Sequence, residues 1–445
     1  MNTKKASSAQ GQNYKTIREY FSAINFNKLA IVSGFKKRKT RKLNGQQLIF
    51  SFMIMALKGR NTFQLWAEEI GLMTSQTISK QAICKRISAS FVHFVYAVLT
   101  ASFSEHIKAV CKKVGYSGSL KNYKNILIQD STIISLPQCL NMFYPGNYSR
   151  GEIKALIRIQ LVIELRSARV VHFAVTRYSK NDQSMSEEII SVAKKGDLVI
   201  RDMGYFSLNV FEKMKKLQVS FVSRLKPSVK IFETKTEREI NLAKILTKEK
   251  HLDRWVLVGA EQKVSMRIVA IKLPDEIANE KIRKEKRNRN KRLNHSKEYY
   301  ELMHYTIYIT TEERSTLSAK LVAQTYRLRW RIETIFKTWK SNFHMQNLIP
   351  CNIKISKERA ESIIYLILIF ILQFQLRFYK LAIEFHKNRK INLEISLSKL
   401  SKFIADRINE ILDIKIDKLL KHIGYYCRYD KRRDRENYYQ TAMLS

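Results

Sequence analysis

Cysteine is scarce in this chain: five residues, at positions 84, 111, 139, 351 and 427, with no C-x-x-C pair among them. That scarcity excludes a disulfide framework and a zinc ribbon, and it fits a reducing compartment. Long apolar runs are missing as well. The N-terminal stretch MNTKKASSAQGQNYK has no apolar core of the kind a secretory signal needs, and the greasiest run, Ile363 to Leu376, is shorter than a bilayer requires and carries Gln373 and Gln375. A cytoplasmic protein that does not cross a membrane is expected. The nine histidines form no H-x-x-x-H or Cys/His cluster, and no G-x-x-x-x-G-K-[ST] loop is present, so zinc hydrolysis and P-loop ATP use both lack support. Acid is the largest deficit. Against 81 Lys and Arg stand 39 Asp and Glu, leaving a net charge of +42. Self-repulsion on that scale implies a polyanionic partner.

What is present is otherwise ordinary for a globular chain of 445 residues, with 45% hydrophobic and 27% charged residues, and it is long enough for two to four domains. Residues 1–118 read as helical, since Leu48, Phe52 and Met55 recur at helical spacing. The stretch Lys36 to Lys42 there reads either as a solvated surface or as a grip on phosphates. From Lys121 the period changes. NILIQDSTIISL, ALIRIQLVIEL and ARVVHFAVT predict three successive strands, and helix-compatible segments then alternate with the strands LVIRD and VSFVSRL. This order predicts an α/β fold with a mixed sheet over 119–225. Residues 226–312 read as a β-rich insertion with an exposed basic arm from Lys281 to Arg292. Residues 313–380 supply closing helices, and 381–445 form a helical C-terminal region suited to dimerisation. The apolar run from Ile363 to Leu376 reads as buried core or as a subunit interface.

Asp130 and Asp202 each end a short apolar run, ILIQ and LVIR, so adjacent strands would hold both carboxylates at one edge of the sheet. Alone, each reads first as a strand-end or turn residue. A third acid strengthens the pair. In YRLRWRIETIFKTWK, Tyr326, Arg329, Glu333 and Lys340 would sit on one helix at roughly 0°, −60°, −20° and −40°, opposite an apolar stripe of Leu328, Ile332, Ile335, Phe336 and Trp339. A lone carboxylate between an aromatic and two cations reads as a metal ligand flanked by phosphate-gripping groups. Three carboxylates suit a pair of Mg²⁺ or Mn²⁺ ions in phosphoryl transfer, and an oxygen-only set disfavours zinc.

These motifs, D-S-T at Asp130, D-M-G-Y-F at Asp202 and Y-x2-R-x3-E-x6-K from Tyr326 to Lys340, resemble the IS-four family of bacterial DDE transposases over about residues 120–345. The resemblance implies a ribonuclease-H-like domain with Asp130, Asp202 and Glu333 as catalytic, metal-binding acids, and two Mg²⁺ or Mn²⁺ ions. It also implies cut-and-paste cleavage of double-stranded DNA at terminal inverted repeats through a hairpin intermediate, joining to target DNA, and a homodimeric synaptic complex in a bacterial, nucleoid-associated setting. Tyr326, Arg329 and Lys340 would position phosphates. Arg224 matches a family arginine that contacts DNA, or is a strand-end surface residue. Tyr305 stands where members commonly carry a Trp that stacks on a flipped base, or is a strand aromatic packed in the core. Two other readings are a catalytically inactive, domesticated DNA-binding protein and a ribonuclease-H-like nuclease without end specificity.

Overall fold

Side-chain caps that the sequence supplies at the right offsets start most of the helices. Asn44 forms a reciprocal capping box with Gln47, and Thr62, Ser79, Ser318, Ser356 and Ser396 each accept from a backbone N–H three residues on. The computed structural model describes residues 24–37, 43–58, 62–108, 118–165, 169–287, 295–343, 345–349, 356–389, 391, 394–407, 411 and 414–429. The chain divides into two units.

The helical unit comprises Met1–Ala109, Pro137–Phe143 and Lys337–Arg432. Its N-terminal helices are α1 (Phe26–Val32), α2 (Gly45–Leu57), α3 (Phe63–Thr74), α4 (Lys80–Arg86) and α5 (Ala89–Lys108). The run from Ile363 is core: Ile363, Ile364 and Leu366 to Ile371 are buried where the apolar helix from Lys357 to Ile371 packs on α5 and α2. That helix continues into a π-helical turn, Leu372–Arg377. The wider turn serves Gln375, which is fully buried, accepts from Trp339 Nε1 at 2.7 Å and donates to the Thr338 and Ser401 hydroxyls. Positions 38–42 of the basic stretch that begins at Lys36, together with Cys111, Cys351 and residues 430–445, lie outside the described residues. Cys84 and Cys427 are free thiols.

The sheet unit comprises Val110–Leu136, Tyr144–Phe336 and Arg433–Ser445. Its strands are β1 (Ile126–Ser135), β2 (Pro145–Ser149), β3 (Glu152–Glu164), β4 (Arg169–Arg177), β5 (Leu198–Arg201), β6 (Ser220–Arg224), β7 (Ile231–Phe232), β8 (Leu252–Val258), β9 (Val264–Lys272) and β10 (Tyr305–Thr310). The core order is β4-β3-β1-β5-β6, with β1, β3 and β4 antiparallel and β5 and β6 parallel to β1. This is the ribonuclease-H-like arrangement. The strands of the β-rich insertion do not form a separate sheet; β10, β9, β8 and β7 extend the same one from the β6 edge. Helices α6 (Leu208–Lys216), α7 (Leu242–Glu249), α8 (Asp275–Lys286), α9 (Lys297–Leu302), α10 (Ala319–Arg327) and α11 (Trp330–Ser341) follow in chain order, and α12 to α15 are Lys357–Ile371, Phe378–Asn388, Leu397–Asp406 and Ile416–Tyr426.

Two expectations need correction. Asp130 lies inside β1, which runs five residues past it, because Ser131 to Ser135 keep pairing with β3 after β5 has ended. Tyr326 and Glu333 sit on two helices, not one. A tight turn at Leu328–Arg329, closed by bonds from Leu328 N–H to Thr325 and from Arg329 N–H to Tyr326, separates α10 from α11. Within the β-rich insertion, the first part of the exposed basic arm, Lys281 to Lys286, is the helical end of α8, with Asp275 and Glu276 in the first turn and Arg283, Lys284 and Lys286 in the last, the arrangement a helix dipole favours; residues 288–292 lie outside the described residues.

Candidate active site

The two aspartates meet because β1 and β5 are parallel neighbours. Gln129 stands opposite Arg201, so the next residues, Asp130 and Asp202, lie side by side just where β5 ends. Strand alternation then sorts the side chains by face. Asp130 shares a face with Ile128 and Thr132, whereas Gln129 and Ser131 point the other way. Across the sheet, Arg224 pairs with Tyr308, and the Tyr308 ring lies 5.3 Å from that of Tyr326. Tyr326, at the end of α10, donates its hydroxyl to Asp202 Oδ1 at 2.8 Å.

Arg329, in the turn between the helices, ties the acids together. Its Nη1 lies 2.8 Å from Asp130 Oδ2, its Nη2 2.5 Å from Glu333 Oε1 and its Nε 3.9 Å from Asp202 Oδ1. Burial opposes the Arg329 charge, but Tyr326, Asp130, Asp202 and Glu333 outweigh it and hold the guanidinium above its usual range. Burial pushes the Asp130 carboxyl up to about 7 against the pull of Arg329 and the Ser131 N–H, with Asp202 and Glu333 adding to the rise. Burial, followed by Asp202, also raises the Tyr326 phenol, which stays a proton donor.

The donor set is three carboxylates and no soft ligand, converging on one positive group. As they stand, no three His, Cys, Asp or Glu side chains among the described residues form a cluster that could hold an ion. The guanidinium occupies that point of convergence. An oxygen-only set that already gathers a cation has the chemistry hard divalent ions require.

The other expected residues divide. Arg224 is on the acid face at the end of β6, opposite Tyr308, and burial together with the Arg224 charge lowers the pKa of Lys281 on α8, so the two cations feel one another. Lys340, on the last turn of α11, belongs to the helical unit, and burial lowers its pKa. Tyr305 is on the opposite face from Tyr308. It packs with the core containing Ile307 and Ile309, and its hydroxyl donates to the Leu246 carbonyl at 2.8 Å. Its place is that of the packed strand aromatic. Sequence reasoning passed over Trp330, which is 65% exposed one residue after Arg329 and three before Glu333. A tryptophan within an otherwise buried amphipathic pattern, at i to i+3 spacing from the acid, was the available signal.

The Transposase DDE domain family matches residues 122–351. A transposase for insertion sequence element IS231B from Bacillus thuringiensis subsp. berliner is 28% identical over 404 residues, covering 85% of this chain and 80% of that protein. One for IS231D from Bacillus thuringiensis subsp. finitimus is 29% identical over 406 residues, covering 86% and 82%. A piggyBac transposase synaptic complex with hairpin DNA, solved by cryo-EM, aligns over 94% of this chain and 84% of that one at a TM-score of 0.44 and 9% identity, too distant a likeness to transfer any feature.

Proposed function

From the premise that this chain belongs to the Transposase DDE domain family, we propose that it is an insertion-sequence transposase that cuts DNA at the ends of its element with Asp130, Asp202 and Glu333. The observation that carries the assignment is the convergence of these three carboxylates, from strand β1, the turn after β5 and helix α11, on one cation. Asp130, Asp202 and Glu333 would hold two divalent ions, Mg²⁺ or Mn²⁺. Ions bound there activate a water or 3′-hydroxyl and stabilise the leaving oxygen.

The protein's own groups do the rest. Arg329, now paired with the three carboxylates, would pair with a DNA phosphate when those carboxylates hold ions. The Tyr326 hydroxyl orients Asp202. Arg224, paired with Tyr308, and Lys281, which the Arg224 charge reaches, would follow the DNA backbone, as would Lys340 from its helix. Trp330 replaces Tyr305 as the aromatic free to stack on an unpaired base, since its ring is open to solvent and Tyr305's is engaged. Cut-and-paste chemistry through a hairpin, a homodimer on two ends and action in the bacterial cytoplasm complete the reading. No single helix among the described residues is long and apolar enough to cross a membrane, and the charge of +42 suits the terminal repeats and target DNA.

The test uses labelled DNA carrying the element's ends in Mg²⁺. Asp130→Ala, Asp202→Ala and Glu333→Ala should each abolish cleavage and keep end binding nearly intact. Cleavage by any of the three within about tenfold of the unaltered protein would overturn the assignment.

A further inference from the structure

Behind the acids, on the other face of the sheet, lies a polar network that no motif marks. Its centre is Asp182, in the turn after β4. Asp182 Oδ1 accepts from the Ser131 hydroxyl at 2.6 Å, from Arg158 Nη1 at 3.0 Å and from Gln160 Nε2 at 3.4 Å. Arg158 Nη1 also reaches the Ser131 hydroxyl at 3.1 Å. The strand register explains the meeting: Ser131 stands opposite Gln160 and Ile133 opposite Arg158, so all face the side that Asp130 does not.

From there two links reach the acids. Ser131 donates its backbone N–H to Asp130 Oδ1 at 2.8 Å, leaving Oδ2 for the site. The turn after Asp202 lies directly on Asp182: a Cβ built on Gly204 would stand 3.0 Å from Asp182 Oδ2, which is why glycine is suited to that step. The next residue, Tyr205, is fully buried and donates its hydroxyl to Gln160 Oε1, while its carbonyl accepts from Ser186 Oγ and from Arg201 Nη2 at 2.8 and 2.9 Å. One carboxylate thus touches both the D-S-T strand and the D-M-G-Y-F turn.

We propose that Asp182 is a positioning residue that fixes the Asp130 carboxylate and its spacing from Asp202, acting through Ser131 and Gly204 from behind the sheet. The proposal rests on the assignment of Asp130 and Asp202 as metal-holding acids. A small divalent ion with strict octahedral demands responds steeply to such spacing, and groups that orient metal-binding carboxylates typically contribute about 10- to 100-fold in affinity or activity.

The test measures Mn²⁺ binding to the full-length, DNA-free protein by electron paramagnetic resonance of free Mn²⁺, with melting temperature and binding to end DNA in EDTA alongside. Asp182→Ala should weaken Mn²⁺ binding by about tenfold or more while end binding holds. Asp182→Asn, whose amide oxygen still accepts from Ser131 and Arg158, should restore it. If Asp182→Ala does not fold, Ser131→Ala carries the same expectation, because it removes the linking hydroxyl alone. Unchanged Mn²⁺ affinity in the folded variant overturns the proposal, as does a parallel loss of melting temperature, DNA binding and metal binding that Asn does not rescue. Asp130→Ala serves as the control: if it too binds Mn²⁺ normally, the assignment of the acids fails rather than the role of Asp182.

Discussion

Replacing Asp130 with Asn should make the metal-free protein more stable at pH 8 while destroying its chemistry. The Asp130 side chain is only 13% exposed, and burial sets its folded pKa at about 7 against a reference of 3.8. Below pH 4 the carboxyl is protonated in both folded and unfolded chains and costs nothing. As pH rises the unfolded chain ionises first, so stability drains away from about pH 4 until the folded group ionises near 7, and it is level above that. About three pH units at 1.36 kcal/mol each give a loss on the order of 4 kcal/mol. At about 2 to 4 °C per kcal/mol for a unit of this size, the difference is about 8 to 16 °C. Asn carries no such charge, and its amide oxygen can still accept from Arg329. In EDTA, thermal melts from pH 4.5 to 8.5 should therefore show the unaltered protein falling relative to Asp130→Asn as pH rises, with the curves parallel above pH 7.5. Saturating Mg²⁺ should close part of the gap for the unaltered protein only. If the two proteins melt together across the whole range, burial does not govern this carboxyl and the account of the site's electrostatics is wrong.

Tyr305→Ala should lower stability by about 3 to 5 kcal/mol, as loss of a packed aromatic does, yet leave the rate of each DNA step unchanged below the melting point. Trp330→Ala should behave inversely, melting within about 1 °C of the unaltered protein while slowing steps after the first nick, because a stacking face contributes about 1 to 3 kcal/mol. Normal hairpin formation by Trp330→Ala would remove the stacking role. Arg224→Gln and Lys281→Gln should each flatten the plot of log Kd for end DNA against log salt by about one unit, and an unaltered slope would assign either cation to plain surface. Trp339→Phe should cost about 1 to 3 kcal/mol by leaving the buried Gln375 oxygen without its indole donor, which a urea titration of the helical unit's transition would reveal.

The sequence alone carried what is local. The β-branched runs before Asp130 and Asp202 made strands, and the caps set helix starts. Strand alternation and apolar spacing are properties of consecutive residues, so they survive in one dimension. Even the burial of Leu328, Ile332, Ile335, Phe336 and Trp339 followed from spacing. What the sequence could not carry depends on how separate segments meet. The helix assumed from Tyr326 to Lys340 breaks at Leu328–Arg329, and that break swings Arg329 in among three carboxylates, a competition among packing partners that helix spacing does not encode. Tyr305 and Tyr308 look alike in YTIYIT, and only the register of β10 with β6 and β9 sets Tyr305 against the core on one face and buries Tyr308 beside Tyr326 on the other. Asp182 is one acid in a polar turn until β1 and β3 pair in register and set Ser131, Gln160 and Arg158 around it. Local propensity thus chose the elements, whereas register and the faces they bury chose which of their side chains meet.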